Sequence, residues 1–528
     1  MRRAWIAFVL LSACGQSTPD DPEVPPLLDD DGRLLTLTCP GDPACRAADG
    51  PLRVGVGVRT ITPAVETWED DGDGRWEEGE AFEDLDGDGE YDPVWLAGFG
   101  RGRAATGVHD DLWARAMAFS RGDLVVGVVA LDLIGYFSDD VIRVREAARE
   151  AGLGYDYVLV ASTHNHESPD AMGPWGETPF ESGRDETYLD EIVRRAVEAL
   201  ADAKSSLTDA ELTVATATDT RHLIDDSRDP EVVDTTVTAL LARDTTGAAI
   251  ASLVLWGNHP EALDDVNTLI TSDYPHYLRE GMEAHFDAPS LFLPGTLGGL
   301  MNPLHIQGCP DADGNRTCPA GTYELAEYIG GEVAARAIAA LEAAPASTDQ
   351  TLGARRERVQ LTIANFAFLT GYIAGLFDRR VFDADDEPLT RAQAEAFNVD
   401  EALAGAVQIQ SEVGAVTLGP LEIVTVPGEL YPELWMTDGE GGSFIVENEG
   451  VDFLDAAPEP PLVTLMPEGR TRAIVNQGND ALGYIIPKVQ FDFDEPFAYG
   501  RRQYGEVNSL GPDIAPSLAE GIQRLYGR

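Results

Sequence analysis

Short apolar runs recur along the chain and stop at polar turns. Leu124–Leu131 is continuously apolar, and so is Tyr157-Val-Leu-Val-Ala161. Runs of this kind read as strands buried on both faces. Arg53-Val-Gly-Val-Gly-Val-Arg-Thr-Ile-Thr-Pro63 alternates small and β-branched residues and ends in proline, which makes it the first strand of the main domain. Residues 233–241 and 248–256 read as neighbouring strands joined through Asp244-Thr-Thr-Gly247, with further strands at 290–294 and 421–426. Helical periodicity takes over at 138–150, with Ser138 as N-cap, at 186–203 and in the alanine-rich stretch 323–343. Ser272-Asp-Tyr-Pro-His-Tyr277 caps another helix. The alternation of strands with helices is α/β grammar: a mixed β-sheet core flanked by helices, in one large domain over 51–528.

Histidines stand where these strands end, the place at which α/β proteins display their chemistry. Ser162-Thr-His-Asn-His-Glu-Ser-Pro-Asp170 follows Ala161. On an extended backbone His164 and His166 share a side. A turn there lets one bind a metal while the other serves a substrate. Spacing alone fits a polar turn with two exposed histidines equally well. Gly257-Asn-His259-Pro-Glu261 repeats the placement after the 248–256 run, and Pro427-Gly-Glu429 follows 421–426. Gly295-Thr-Leu-Gly-Gly-Leu-Met-Asn-Pro303 either brings backbone N–H groups to a substrate or is a plain turn.

Charge narrows the class. A formal net charge of −55 over 528 residues argues against nucleic acid, because a phosphate backbone needs Lys and Arg to replace its counterions. It fits an exported acidic protein, a calcium binder or a salty habitat, and plain solubility as well. The densest acidic stretch is an insertion at 66–95. Glu69, Asp71, Asp73, Gly74 and Glu80 fall close to the spacing of a calcium loop, and Asp84, Asp86, Asp88 and Gly89 begin a second copy with Trp95 at the twelfth position. No flanking helices are evident, so isolated Ca2+ loops are expected, with a solvated acidic loop as the plain alternative.

The N-terminus has a basic start, Met1-Arg-Arg, a short apolar run from Ala4 to Leu11, and then Leu11-Ser-Ala-Cys14. These are the parts of a signal peptide at 1–13, and the last four residues resemble a bacterial lipobox. That resemblance implies an exported bacterial lipoprotein with Cys14 lipidated, held at the outer membrane or cell surface by a flexible tether and a small disulfide loop within 14–50. The other cysteines, Cys39 with Cys45 and Cys309 with Cys318, form two local pairs. Two disulfide loops are the expectation. Zinc on these four is the rival, and neither spacing is the short Cys-x-x-Cys type.

Several signatures occur together and in order: Thr60-Ile-Thr-Pro63, Leu112-Trp-Ala-Arg-Ala-Met-Ala-Phe119, Ser162-Thr-His-Asn-His166 with Pro169, Asn258-His-Pro260, Asp273-Tyr-Pro275, Pro427-Gly-Glu429 and Gly483-Tyr484. The set resembles the catalytic domain of the neutral/alkaline, non-lysosomal ceramidase family from about Val54 to near the C-terminus. The resemblance implies a Zn2+ ion held by His164, His259, Glu429 and Tyr484, a substrate-side His166, an oxyanion-stabilising Tyr504 and an active-site Arg228. It also implies hydrolysis of amide bonds, possible in N-acylated lipids. Where the family loop reads Gly-Asp-x-Ser-Pro-Asn, this chain has Gly299 for the acid and Met301 for the serine. Glu167 stands where the family tends to have serine and is the candidate proton carrier. The resemblance ends near Arg528, before any counterpart of the family's C-terminal immunoglobulin-like domain. Two other readings stay open: an esterase or amidase on a non-lipid substrate, and a non-catalytic calcium-binding surface lipoprotein on a hydrolase scaffold.

Overall fold

The computed structural model describes residues 26–528, apart from 70–75, 77–78, 300, 307 and 311–316. The signal peptide, Cys14, Asp71 and Asp73 therefore lie outside the described residues. In chain order the principal strands are β1 (Leu37–Cys39), β2 (Leu52–Thr60), β3 (Trp113–Arg121), β4 (Leu124–Leu131), β5 (Tyr157–Ser162), β6 (Thr208–Ala217) and β7 (Val237–Asp244). They continue with β8 (Ala249–Trp256), β9 (Ser290–Pro294), β10 (Leu352–Thr362), β11 (Gln408–Leu418), β12 (Leu421–Thr425) and β13 (Thr471–Val475). The principal helices are α1 (Ser138–Glu150), α2 (Glu186–Ser205), α3 (Tyr274–Phe286), α4 (Tyr323–Ala343), α5 (Phe366–Ala374) and α6 (Ile514–Leu525).

The mixed β-sheet core expected from the sequence is present, and among the described residues it is built from two large sheets, with three two-stranded pairs beside them. The first has the order β9-β8-β7-β6-β2-β3-β4-β5. Its two outermost pairs, β4 with β5 and β8 with β9, are parallel, and the rest are antiparallel. The second is built on β10 and β11, with β12 on β11 and β13 parallel to β12. The sheets share one core: Val54, Phe119, Val128 and Leu159 of the first pack with Leu352, Val416, Ile423 and Val475 of the second. Helices cover the outer faces. Leu189, Ile192 and Ala196 of α2 lie on Val129 and Val158, α3 and α4 cover Leu241, Val254 and Phe292, and Leu518 and Ile522 of α6 lie on Val359 and Val413. The Val-Gly-Val-Gly-Val stretch of β2 shows why small residues alternate there. A Cβ on Gly55 or Gly57 would come within 2.1 Å of the carbonyl oxygens of Ala203 or Ala199 in α2, so glycine sets how closely helix and sheet approach.

The edges of the first sheet meet. β9 lies against β4 and β5, and the segment after β13 fills the seam. Asn476 N donates to Pro294 O at 2.9 Å and Asn479 N to Val160 O at 2.7 Å. This closure carries the ends of β5, β8, β12 and β13 to one place. Ser138 is the first residue of α1 rather than its cap. The cap position is Phe137, and Ser138 N donates to the buried Asp480 Oδ1 at 3.0 Å. A distant carboxylate thus takes over the local capping role.

Candidate metal centre and its cleft

The chain turns where β5 ends. Thr163 N and His164 N donate to Leu131 O and Leu133 O at 2.8 and 2.9 Å, and His164 adopts a left-handed φ of 66°. The turn does not separate the two histidines, whose ring centroids lie 5.0 Å apart. β8 leads into Gly257-Asn-His259, where a Cβ on Gly257 would meet Thr296 O at 1.8 Å. Only glycine lets the chain pass there and deliver His259. β12 leads to Glu429–Leu430, which pairs in parallel with Tyr484–Ile485, so Glu429 stands beside Tyr484. β13 leads to Gln477, whose side-chain amide lies 3.2 Å from His164 Nδ1.

The histidines are aimed by backbone carbonyls. His164 Nδ1 is 2.6 Å from Ile134 O, and His259 Nδ1 is 2.8 Å from Met301 O. A carbonyl oxygen only accepts, so each Nδ1 carries a proton and each ring turns its Nε2 the other way. Those two Nε2 atoms lie 3.6 and 3.1 Å from one oxygen, Glu429 Oε2. A carboxylate oxygen this close to two imidazole nitrogens calls for positive charge among them, a proton or a metal ion. Ligand nitrogens of His164, His166 and His259 all lie within 4.8 Å of one another. Among the described residues neither ring nitrogen of the buried His166 makes a hydrogen bond, although buried polar atoms are normally paired. The donors, their convergence and the carbonyls behind them fit a divalent metal ion.

Electrostatics agrees. Burial alone would raise the Glu429 carboxyl, but His164 and His259 more than offset it and hold it well below the usual carboxylate range. Burial, then the neighbouring His164 and His259, keeps His166 well below its ordinary value, so its imidazole is neutral. Burial and then the Glu429 charge push the Tyr484 phenol well up. A phenolate ligand at this position needs a cation beside it.

One functional candidate escapes the sequence reading. Glu261 Oε2 lies 3.2 Å from His166 Nδ1, and the side chain is 5% exposed. Burial pushes its carboxyl up to about 7. Its only mark in the sequence is its position two residues past a strand-end histidine.

These groups floor a cleft of about 430 Å³. Its walls are apolar, with Phe99, Ile134, Phe137, Trp175, Phe368 and Phe377 among them. Tyr504, 54% exposed, also lines the cleft, its ring 5.9 Å from that of Tyr484. A wider hollow of about 1060 Å³ shares Tyr372 and Phe377 with this cleft but contains none of the histidines.

Two expected site residues stand behind the cleft rather than in it. Glu167 Oε2 accepts from Asn267 Nδ2 at 2.9 Å and lies 3.4 Å from Arg103 Nη1. Arg228 is buried, its guanidinium 4.7 Å from the Tyr431 ring centroid and 2.8 Å from Glu506 Oε1. Neither lines the cleft. The glycine-rich loop is similarly occupied. Gly298 N donates to Leu430 O at 3.0 Å, so that N–H is not offered to a ligand. Cys39–Cys45 and Cys309–Cys318 are disulfides, so zinc is not held by these four thiols. In the acidic insertion, Asp84, Asp86 and Asp88 gather within 4.8 Å, as do Glu66, Asp86 and Asp92; Glu80 belongs to neither group.

These features define a class: a four-layer α/β protein with a buried histidine group, able to bind a metal, at the floor of an apolar cleft. The chain matches no protein-family model and no curated protein. Among solved structures it is similar to the neutral ceramidase from Pseudomonas aeruginosa, with TM-score 0.61 and 16% identity over 90% of this chain and 74% of that one. It is also similar to a ceramidase complexed with C2, with TM-score 0.62 and 15% identity over 90% of this chain and 75% of that one. At such identity the likeness is one of fold, and it agrees with the motif resemblance drawn from the sequence.

Proposed function

We propose that the protein is a zinc-dependent hydrolase of amide bonds in N-acylated, ceramide-like lipids. The observation that carries this reading is the convergence of His164 Nε2 and His259 Nε2 on one oxygen of Glu429, beneath an apolar cleft. His164, His259, Glu429 and Tyr484 would hold the ion. A bound zinc ion lowers the pKa of a water ligand and polarises a carbonyl. The residues of the chain do the rest. The aromatic walls take the acyl chain and keep bulk water out. Tyr504, at the cleft, donates a hydrogen bond to the oxygen on which negative charge develops. His166, neutral and beside Glu261, stands on the substrate side. Glu167 and Arg103 hold the His166 turn, and Arg228 backs Tyr431 behind the Tyr484 layer. Water is consumed, and a carboxylic acid and an amine are released.

Export and anchoring through Cys14 belong to the same proposal and rest on the sequence motif. Among the described residues no helix is long and apolar enough to cross a membrane.

The test combines metal analysis with a panel of N-acyl substrates, lipid and soluble. Zinc at one equivalent, lost in His164→Ala and His259→Ala, and chelator-sensitive release of fatty acid are expected. A metal-loaded wild type that cleaves no amide or ester in the panel points instead to the non-catalytic scaffold. Preference for soluble amides over N-acyl lipids removes the lipid part of the reading.

A further inference from the structure

The ridge beside the cleft carries no charge. Residues 363–377 contain no acidic or basic side chain, in a chain where 24% of residues are charged. Their centre is α5. Its inner side is buried through Leu369, Gly371 and Tyr372. Its outer side presents Phe366, Ala367, Thr370 and Ala374 to solvent, with 366, 370 and 374 on one stripe at helical spacing. Phe366 is 58% exposed. A helix that is apolar on both sides and open to water on one of them has no reason to stay so in a monomer surrounded by water.

Its place in the fold says what it meets. Ala367, Phe368 and Tyr372 line the histidine cleft, while Tyr372, Ile373 and Gly375 line the wider hollow. The helix is therefore the ridge between two openings. Pro174 and Trp175 line the same cleft from the loop that carries Phe180, which is 93% exposed.

Arg101 at the cleft and Arg391 at the hollow flank the ridge; the hollow is also lined by other arginines and by Asp139, Asp140, Glu186 and Asp378. Arg101 Nε donates to Pro174 O at 3.0 Å, and Arg391 Nε donates to Ile373 O at 2.6 Å. Arg391 packs against the C-cap Gly375, whose φ is 75° and where a Cβ would collide with the guanidinium. Each arginine is fixed by its Nε, Arg391 Nε also lies 3.8 Å from Glu395 Oε1, and among the described residues neither arginine has a terminal nitrogen in a hydrogen bond. In a chain of net charge −55, exposed arginines held this way beside an uncharged helix complement phosphate groups above an apolar layer.

We propose that α5 and the Phe180 loop form a docking surface for a zwitterionic phospholipid bilayer, with Phe366 dipping below the headgroups and Arg101 and Arg391 meeting their phosphates. The net charge disfavours an anionic membrane. The inference deepens the proposed function, since it places the cleft mouth at the layer where an N-acyl lipid resides. Its test, however, reads binding and not turnover.

The experiment is vesicle sedimentation of the full chain carrying Cys14→Ser, so that no N-terminal lipid contributes, on phosphatidylcholine with and without phosphatidylglycerol. Phe366→Asp should lower the partition coefficient on phosphatidylcholine about tenfold, the order expected for desolvating half of a phenylalanine side chain. Phe366→Cys, labelled with an environment-sensitive dye in the same background, should shift its emission to the blue when vesicles are added. Failure of the Cys14→Ser protein to bind phosphatidylcholine overturns the proposal. So does binding that requires phosphatidylglycerol and vanishes with salt, or an unshifted dye. Dimerisation that Phe366→Asp abolishes, without vesicle binding, assigns the surface to a second copy and overturns it too. Bilayer binding by a protein that hydrolyses no amide leaves docking intact and removes only the catalytic reading.

Discussion

Glu429→Gln isolates the charge on which the proposed metal centre turns. The substitution keeps the side-chain volume and one acceptor oxygen, and it removes one negative charge at a point 3.1 Å from His259 Nε2 and 3.6 Å from His164 Nε2. At an effective dielectric of about 20, two unit charges 4 Å apart interact by about 4 kcal/mol, and a dication doubles that to about 8. The amide oxygen remains as a neutral ligand and recovers part of the interaction. Taking half as lost gives about 4 kcal/mol, or about three powers of ten in Kd. The assay is competition for Zn2+ against a chromophoric chelator at fixed pH, with the metal-free unfolding midpoint measured alongside. The expected outcome is a Kd raised by about 10² to 10⁴ while the metal-free midpoint falls by much less, because the amide keeps an oxygen facing His164 and His259. A Kd within about fivefold of wild type would refute the reasoning and take Glu429 out of the ligand set.

Glu261→Leu should lower kcat with zinc content and KM unchanged, and Glu261→Gln, which keeps an oxygen facing His166 Nδ1, should restore most of it; equal losses in both variants would end the positioning argument. Glu433 is buried beside Arg228, and burial pushes its carboxyl from 4.5 up to about 7. Between those values the folded protein holds a proton that the unfolded chain has lost, so stability falls as pH rises through the window, by about 3 kcal/mol at most. Glu433→Gln should therefore melt like wild type near pH 4.5 and higher than wild type at pH 8, and a difference that does not change with pH would contradict this. Asp86 belongs to both acidic groups of the insertion; if they bind calcium, the ion raises the melting temperature of wild type and not of Asp86→Asn, and no shift in wild type rules the sites out.

The strands that deliver the site are legible because they are buried on both faces, which leaves continuous apolar runs such as Leu124–Leu131 and Tyr157–Ser162. His164 and His259 stand out because they follow such runs. What makes them neighbours is not legible. They leave opposite sides of an eight-stranded sheet, and their meeting depends on closure of that sheet by Asn476 and Asn479, whose backbone bonds span the seam. Tyr484 enters the sequence reading only by family resemblance, since its pairing with Glu429 is a two-residue register that no periodicity encodes. Glu261 is missed for the opposite reason: it sits in a turn already recognised, and nothing local says that it faces His166. The places of Glu167 and Arg228 follow from partners, Asn267 and Glu506, that are distant in the chain.

The altered glycine-rich loop bears most directly on whether this scaffold still holds a metal. Met301 supports His259 through its backbone, its carbonyl oxygen lying 2.8 Å from both His259 N and His259 Nδ1. That support does not depend on the side chain. The side chain is fully buried in the core beneath α3 and α4, with Trp256, Ala262 and Tyr274. At Gly299, whose φ is 80°, a Cβ would lie 3.1 Å from Asp226 Oδ1, so a carboxylate already stands where an acidic side chain at 299 would begin. The two departures therefore take a carboxylate and a hydroxyl out of the loop without removing the carbonyl that aims the ligand. Met301→Ser separates the two roles. It should cost about 2–5 kcal/mol of stability through the cavity it leaves, while the Kd for Zn2+ stays within about threefold of wild type. A parallel loss of zinc affinity would mean that the side chain, and not the carbonyl, keeps His259 in place, and the departure from the family loop would then count against a working metal centre.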